Sequence, residues 1–204
     1  MTTNTDTTAK AESVARQGSF AVLGEPDFAW YLIGAMLTNA AHWIQGVTLS
    51  WLVYDLTSSG TMLGTLNLVR SIATVGLATF VGVAIDRLPQ RRLLYATSIW
   101  LFAISFGFAL VLLGNPSAVW PLFLFSFLGG IGQAVSMPLR QTVVFSIVPR
   151  SMAPGAVALV QTGWAVMRSL GPALGGFLLL WFGPAGNFFV QAGAYALVTL
   201  TIVK

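Results

Sequence analysis

Long, mostly apolar stretches recur six times along this chain, at about 28–54, 61–85, 92–113, 118–138, 153–181 and 185–203. A helix needs about 20 consecutive apolar residues to cross the hydrocarbon of a bilayer, so each stretch has the length of a spanning helix. Turn chemistry separates them. Leu56-Thr-Ser-Ser-Gly60 follows the first, Gly114-Asn-Pro-Ser117 divides the third from the fourth, and Gly183-Pro-Ala-Gly-Asn187 divides the fifth from the sixth. A soluble helical bundle is excluded by charge: such a domain carries about 25% charged residues. Here 8% are charged and 56% are hydrophobic. The expected class is an all-α membrane protein. Residues 1–24 are polar and rich in Thr, Ala and Ser, and read as a flexible cytosolic tail ahead of a bundle at 25–204. The first apolar run is far longer than a signal-peptide h-region of about 7–15 residues.

The basic residues orient the spans. Lys10 and Arg16 precede the first; Arg87, Arg91 and Arg92 lie between the second and third; Arg140 and Arg150 lie between the fourth and fifth; Lys204 follows the sixth. The other three connections contain no Lys or Arg. Basic residues accumulate on the cytoplasmic side, which predicts six spans in a cell membrane with both termini inside.

Two arginines fall within spans. Placing an Arg at a helix centre costs about 2.5–3.5 kcal/mol or more, so Arg70 and Arg168 are expected to face a protein-lined or wet interior. Snorkelling to the surface is the competing reading for Arg70. Asn39, His42 and Gln45 recur every three residues and share a face of the first span; Asn67 and Arg70 do so in the second. Gln133 in the fourth span and Gln161 with Arg168 in the fifth complete the polar set. Spans 1, 2, 4 and 5 are therefore expected to look inward, and spans 3 and 6 toward lipid. The result is two three-helix units. Val69-Arg-Ser-Ile72 and Met167-Arg-Ser-Leu170 repeat in spans of opposite direction, as a three-plus-three inverted repeat requires. Gly171, Pro172, Gly175 and Gly176 remove side chains where a neighbouring helix can approach and favour a kink.

The stretch Gly82-x-x-x-Asp86-Arg87-x-Pro89-x-Arg91-Arg92 resembles the loop motif between the second and third helices of the major facilitator superfamily, with Pro89 where that motif has a glycine. Gly171-Pro172-x-x-Gly175-Gly176 is similar to the end of the fifth-helix motif of its exporters, with Met167 where a further glycine stands. Leu52–Gly60 and Met137-Pro-Leu-Arg140-Gln resemble the multidrug and enterobactin-type exporter branch. The resemblance implies one six-helix half of a major facilitator fold, paired with a second half as a homodimer or as a separate chain. It also implies alternating access about a central cavity, with Asn39, His42, Gln45, Arg70, Gln133 and Arg168 as cavity candidates. Gly82, Asp86, Arg87, Arg91, Arg92 and Arg140 would form a cytoplasmic gate. Within that gate Asp86 would dock near Ser151–Gly155 of the other half, since its own helix end disfavours a negative charge.

The spans contain no Asp or Glu away from their ends, so an anionic or amphipathic small molecule suits the cavity better than a cationic one. Efflux of such a solute is the expected function; a non-transporting structural subunit, or a fragment of a longer transporter, is the alternative. Two roles fit His42: a coupling-proton relay, since His titrates near neutrality, or a polar helix contact. The chain has no Cys, one His and no P-loop. No metal site, cofactor, nucleic-acid partner or enzymatic activity is expected.

Overall fold

The computed structural model describes residues 22–114, 117–150 and 152–203; the side chain of Asp86 lies outside the described residues. Among them the chain is helical. A 3-10 turn at Val22–Gly24 leads into α1 (Pro26–Thr57), α2 (Gly60–Arg87), α3 (Gln90–Leu113) and α4 (Trp120–Ile147). The last helical stretch, Ala153–Val203, is broken at Gly183, giving α5 (153–182) and α6 (184–203). Four stretches are long and apolar enough to cross a membrane: 60–78, 90–113, 120–147 and 153–201. Helix α1, with Asn39, His42 and Gln45 at mid-length, is not among them.

Short turns fix the order of the helices. Pro26 sits in the first turn of α1, where a missing N–H is harmless. Ser58 closes α1 in the left-handed region (φ 48°), and its N–H reaches Tyr54 O at 2.7 Å. Ser59 then caps α2, its Oγ accepting from Met62 N. Leu88 and Pro89 alone join α2 to α3. Pro89 lies at φ −59°, the value its ring imposes, so it fits the turn where the family motif has glycine.

One boundary is corrected: α4 does not stop near residue 138; it runs through Pro138 to Ile147. A proline inside a helix forfeits a hydrogen bond and costs about 3 kcal/mol. Burial of Leu139, Val143 and Val144 against Leu94, Ile85 and Phe28 carries the helix past it. At 183–187, where turn residues divide the fifth span from the sixth, the break is a single residue. Only Gly183 leaves the helix (φ 67°, ψ −179°), in a region open essentially to glycine alone. Asn187 lies within α6 and bonds Gly175 O of α5, so the chain reverses at Gly183. Helices α3 and α6 expose apolar side chains, Leu110 and Leu113 on one and Leu197 and Leu200 on the other, yet each also buries polar groups. Ser105, Asn187, Gln191 and Tyr195 are fully buried, whereas α2 exposes Leu68, Ile72, Val75 and Phe80. Asn187 and Gln191 must find partners inside the bundle, and this pulls α6 into it.

Contacts define the packing. Helices α1 and α5 run parallel, with Met36, Trp43 and Val47 facing Gly163, Gly171 and Gly175. Helices α2 and α4 touch where Gly130 faces Arg70 O and Ala73, and Thr74 Oγ1 donates to Gly130 O at 3.3 Å. Helix α6 runs antiparallel to α1: Gln191 Nε2 donates to Gln45 Oε1 at 2.7 Å, and Asn187 Nδ2 to Thr48 Oγ1 at 2.8 Å. Phe108, Phe125 and Phe188 join α3, α4 and α6, with ring centroids 4.4–5.0 Å apart. Each such pair contributes about 0.5–1.5 kcal/mol beyond burial.

Candidate functional site

Helices α1 and α4 run antiparallel and meet through polar groups. Gln133 Nε2 lies 3.0 Å from His42 Nδ1, a bond in which the amide donates and the imidazole keeps its proton on Nε2. One end further on, the Tyr31 hydroxyl donates to the Arg140 carbonyl. His42 and Gln133 stand where three clefts adjoin. The first, about 170 Å³, lies between α1, α4 and α5 and includes Asn39, Ser136, Arg140, Gln161 and Trp164. A second, about 490 Å³, extends past His42 to Trp43, Asn67, Arg70, Ser126 and Pro172. The third, about 450 Å³, runs along α2 and α4 from Arg70 to Gly82 and Ile85.

Arg70 and Arg140 are the cations of these clefts. Arg70 donates to Asn67 Oδ1 at 3.0 Å, one turn back on its own helix. Arg140 Nε donates to Ser136 Oγ at 3.2 Å, again one turn back. Among the described residues neither is paired with a carboxylate. Arg140 also borders a fourth cleft, about 290 Å³, at the α2–α3 turn end of the bundle, with Asp27, Trp30 and Arg91. Two polar atoms in the second cleft's lining, Trp43 Nε1 and Ser126 Oγ, are buried with no protein partner.

The cavity candidates divide. Asn39, His42, Arg70 and Gln133 line adjoining clefts. Gln45 does not: it is 2% exposed and bonded to Gln191, so it binds α1 to α6. Its three-residue spacing from His42 turns it far enough round α1 to face α6 instead of α4. Arg168 does not join the site either; it lies exposed on α5, outside the linings of all four clefts. Arg140 is not a loop residue. It lies within α4 and lines two clefts, because α4 continues past Pro138. Of the loop motif, Gly82 lines the third cleft, Arg87 ends α2, and Arg91 and Arg92 sit in the first turn of α3. The proposed docking of Asp86 near Ser151 falls outside the described residues.

The packing glycines also divide. An added Cβ at Gly171 would lie 2.5 Å from Trp43 Cβ, and one at Gly175 3.2 Å from Ile44 Cα, whereas Gly176 has nothing within 4 Å. Sequence reading missed Gly129-Gly130-Ile-Gly132 in α4, which faces Gln45, Arg70 and Leu101. The small-residue pattern itself was a visible signal. It also missed Tyr31, Ser136 and Trp164, for which helical spacing from His42, Gln133 and Gln161 respectively offers a partial signal.

A family model described as "Transmembrane secretion effector" matches residues 17–204. The staphyloferrin A transporter of Staphylococcus aureus is 26% identical over 178 residues, covering 84% of this chain and 43% of that protein. MdtD of Yersinia pseudotuberculosis, a protein named for multidrug resistance, is 34% identical over 83 residues, covering 39% of this chain and 18% of that protein. The chain thus spans less than half the length of these curated relatives. With the family match over nearly its whole length, this is a multi-pass membrane protein that belongs to the transmembrane secretion effector family of the major facilitator superfamily of transporters.

Proposed function

We propose that this bundle is one half of a secondary active exporter for a small amphipathic, anionic organic solute, working by alternating access. The observation that carries the reading is the His42–Gln133 bond where the clefts adjoin, with Arg70 and Arg140 on either side and, among the described residues, no carboxylate paired with them. Relatives named as a siderophore transporter and a multidrug resistance protein support export of an organic molecule. The cavity residues on this reading are Asn39, His42, Arg70, Gln133 and Arg140, with His42 as the proton-coupling group.

The packing supports an inverted three-plus-three repeat. The pairs α1–α5 and α4–α2 exchange under that symmetry, and both are closed by glycines against a facing helix. The basic residues support a cytoplasmic placement of the α2–α3 turn, in the plasma membrane, with Gly82, Asp86, Arg87, Arg91 and Arg92 as a gate. Helices α2 and α5 expose their apolar faces beside the clefts, which supports docking of a second six-helix half, in the same polypeptide or as another copy.

Reconstitution tests the reading. Proteoliposomes carrying the protein and an imposed pH gradient should accumulate the anionic amphiphile 8-anilinonaphthalene-1-sulfonate faster than empty liposomes. His42→Gln should remove the gradient dependence. Transport of ethidium in place of the anion would overturn the substrate class. Flux equal to empty liposomes for both probes would overturn the transport reading.

A further inference from the structure

The two arginines of the clefts are separated along the bundle, and that separation is a statement about substrate shape. Gly130 of α4 lies against the Arg70 carbonyl, so Arg70 is at the level of residue 130. Arg140 is ten residues further along the same helix, which at 1.5 Å per residue is about 15 Å. Each guanidinium leans one turn toward its own helix N-terminus, Arg70 to Asn67 and Arg140 to Ser136. Both helices run the same way, so the leaning leaves the separation nearly unchanged. A single small anion cannot reach both.

Each arginine has its own surroundings. Around Arg70 the lining includes Trp43 and Ser126, whose Nε1 and Oγ are buried without a protein partner. Both atoms are covered in this conformation, so the guanidinium of Arg70 is the group that this end offers an anion. Around Arg140 the lining adds Ser136 and Gln141, with Trp164 as the apolar wall. Between the two ends stand His42 and Gln133, uncharged while bonded to one another. A half-buried cation is stabilised by a charge brought to it, and neither arginine has a carboxylate partner among the described residues.

Resting on the transport reading above, we infer that the solute carries two anionic groups at opposite ends of an elongated body: one held by Arg70, the other by Arg140. The central His42–Gln133 pair meets its uncharged middle. Selectivity then follows from length as well as charge. A solute with one anion leaves the second guanidinium unpaired, and a short dianion cannot span the gap.

The test uses linear carboxylates of graded length as probes, with the purified protein in nanodiscs and binding read by isothermal titration calorimetry. The twelve-carbon α,ω-dicarboxylate should bind at least about tenfold more tightly than the twelve-carbon monocarboxylate, and more tightly than the six-carbon dicarboxylate. Arg70→Gln and Arg140→Gln should each bring the long dicarboxylate down to the level of the monocarboxylate. The corresponding Lys variants should retain part of the preference, which separates lost charge from lost fold. Equal binding of long mono- and dicarboxylate, or sensitivity to only one arginine, would overturn the two-anion inference while leaving anion export standing. Binding of ethidium but of no carboxylate would overturn the inference and the underlying reading together.

Discussion

Replacing Gly171 by alanine sets a geometric quantity against a known gain. The added Cβ would stand 2.5 Å from Trp43 Cβ and 2.7 Å from its Cγ. Carbon atoms rest about 3.5–4.0 Å apart. Trp43 Cβ is tied to its backbone and cannot swing aside, so α1 and α5 must separate by roughly 1 Å. Overpacking of this kind costs about 1–3 kcal/mol, offset by about 1 kcal/mol because alanine favours a helix over glycine. The net expectation is destabilisation of up to about 2 kcal/mol. At Gly175 the nearest atom is Ile44 Cα at 3.2 Å, a milder conflict that the propensity gain roughly balances. At Gly176 nothing lies within 4 Å, so alanine there should stabilise by up to about 1 kcal/mol. Unfolding of the three variants in mixed micelles, titrated with sodium dodecyl sulfate and followed by tryptophan fluorescence, should give the order 171, 175, 176 from least to most stable. A Gly171→Ala protein as stable as the parent, or Gly176→Ala as the weakest, would refute the close-approach argument.

Other expectations follow from single contacts. Asn187→Leu removes bonds to Thr48 Oγ1 and Gly175 O; at about 0.6 kcal/mol each on average, and up to about 1.7, the same titration should show a loss of roughly 1–3 kcal/mol. His42→Gln and Gln133→Leu should each reduce transport, and their effects in a double-mutant cycle should be clearly non-additive, since the two side chains share one bond. Arg168→Gln should leave flux of an anionic probe near the parent level, whereas Arg140→Gln should abolish it, the reverse of the ranking that span position alone suggests. Gly183→Val should fail to accumulate in the membrane, because a β-branched residue cannot adopt φ 67° with ψ −179° without strain of about 1–3 kcal/mol.

The sequence made the membrane class and the polar residues of α1 legible, because apolar run length and helical spacing are local properties. It did not show which of the polar residues meet. Asn39, His42 and Gln45 look equivalent by spacing, yet His42 finds Gln133 on α4 and Gln45 finds Gln191 on α6. That choice depends on which helix packs on each side of α1, which no local pattern encodes. Proline misled at α4: Met137-Pro138 reads as an end, and only the tertiary burial of Leu139 and Val143 shows that the helix continues and carries Arg140 into the clefts. The low polar content of span 6 hides the weight of its two amides. A few amides in an apolar helix mean that the helix must be buried where each finds a partner.

The one-residue reversal at Gly183 bears on how the protein is made. Helices α5 and α6 fold back with no loop between them, and Asn187 of α6 reaches the Gly175 carbonyl only twelve residues upstream. A nascent segment delivering a bare asparagine amide into lipid would meet a steep insertion barrier. Here one acceptor arrives on the same hairpin, so residues 153–203 can enter the bilayer as a unit with that Asn187 bond already made. The docking of α6 on α1 through Thr48 and Gln45 then becomes a second, later event within the membrane.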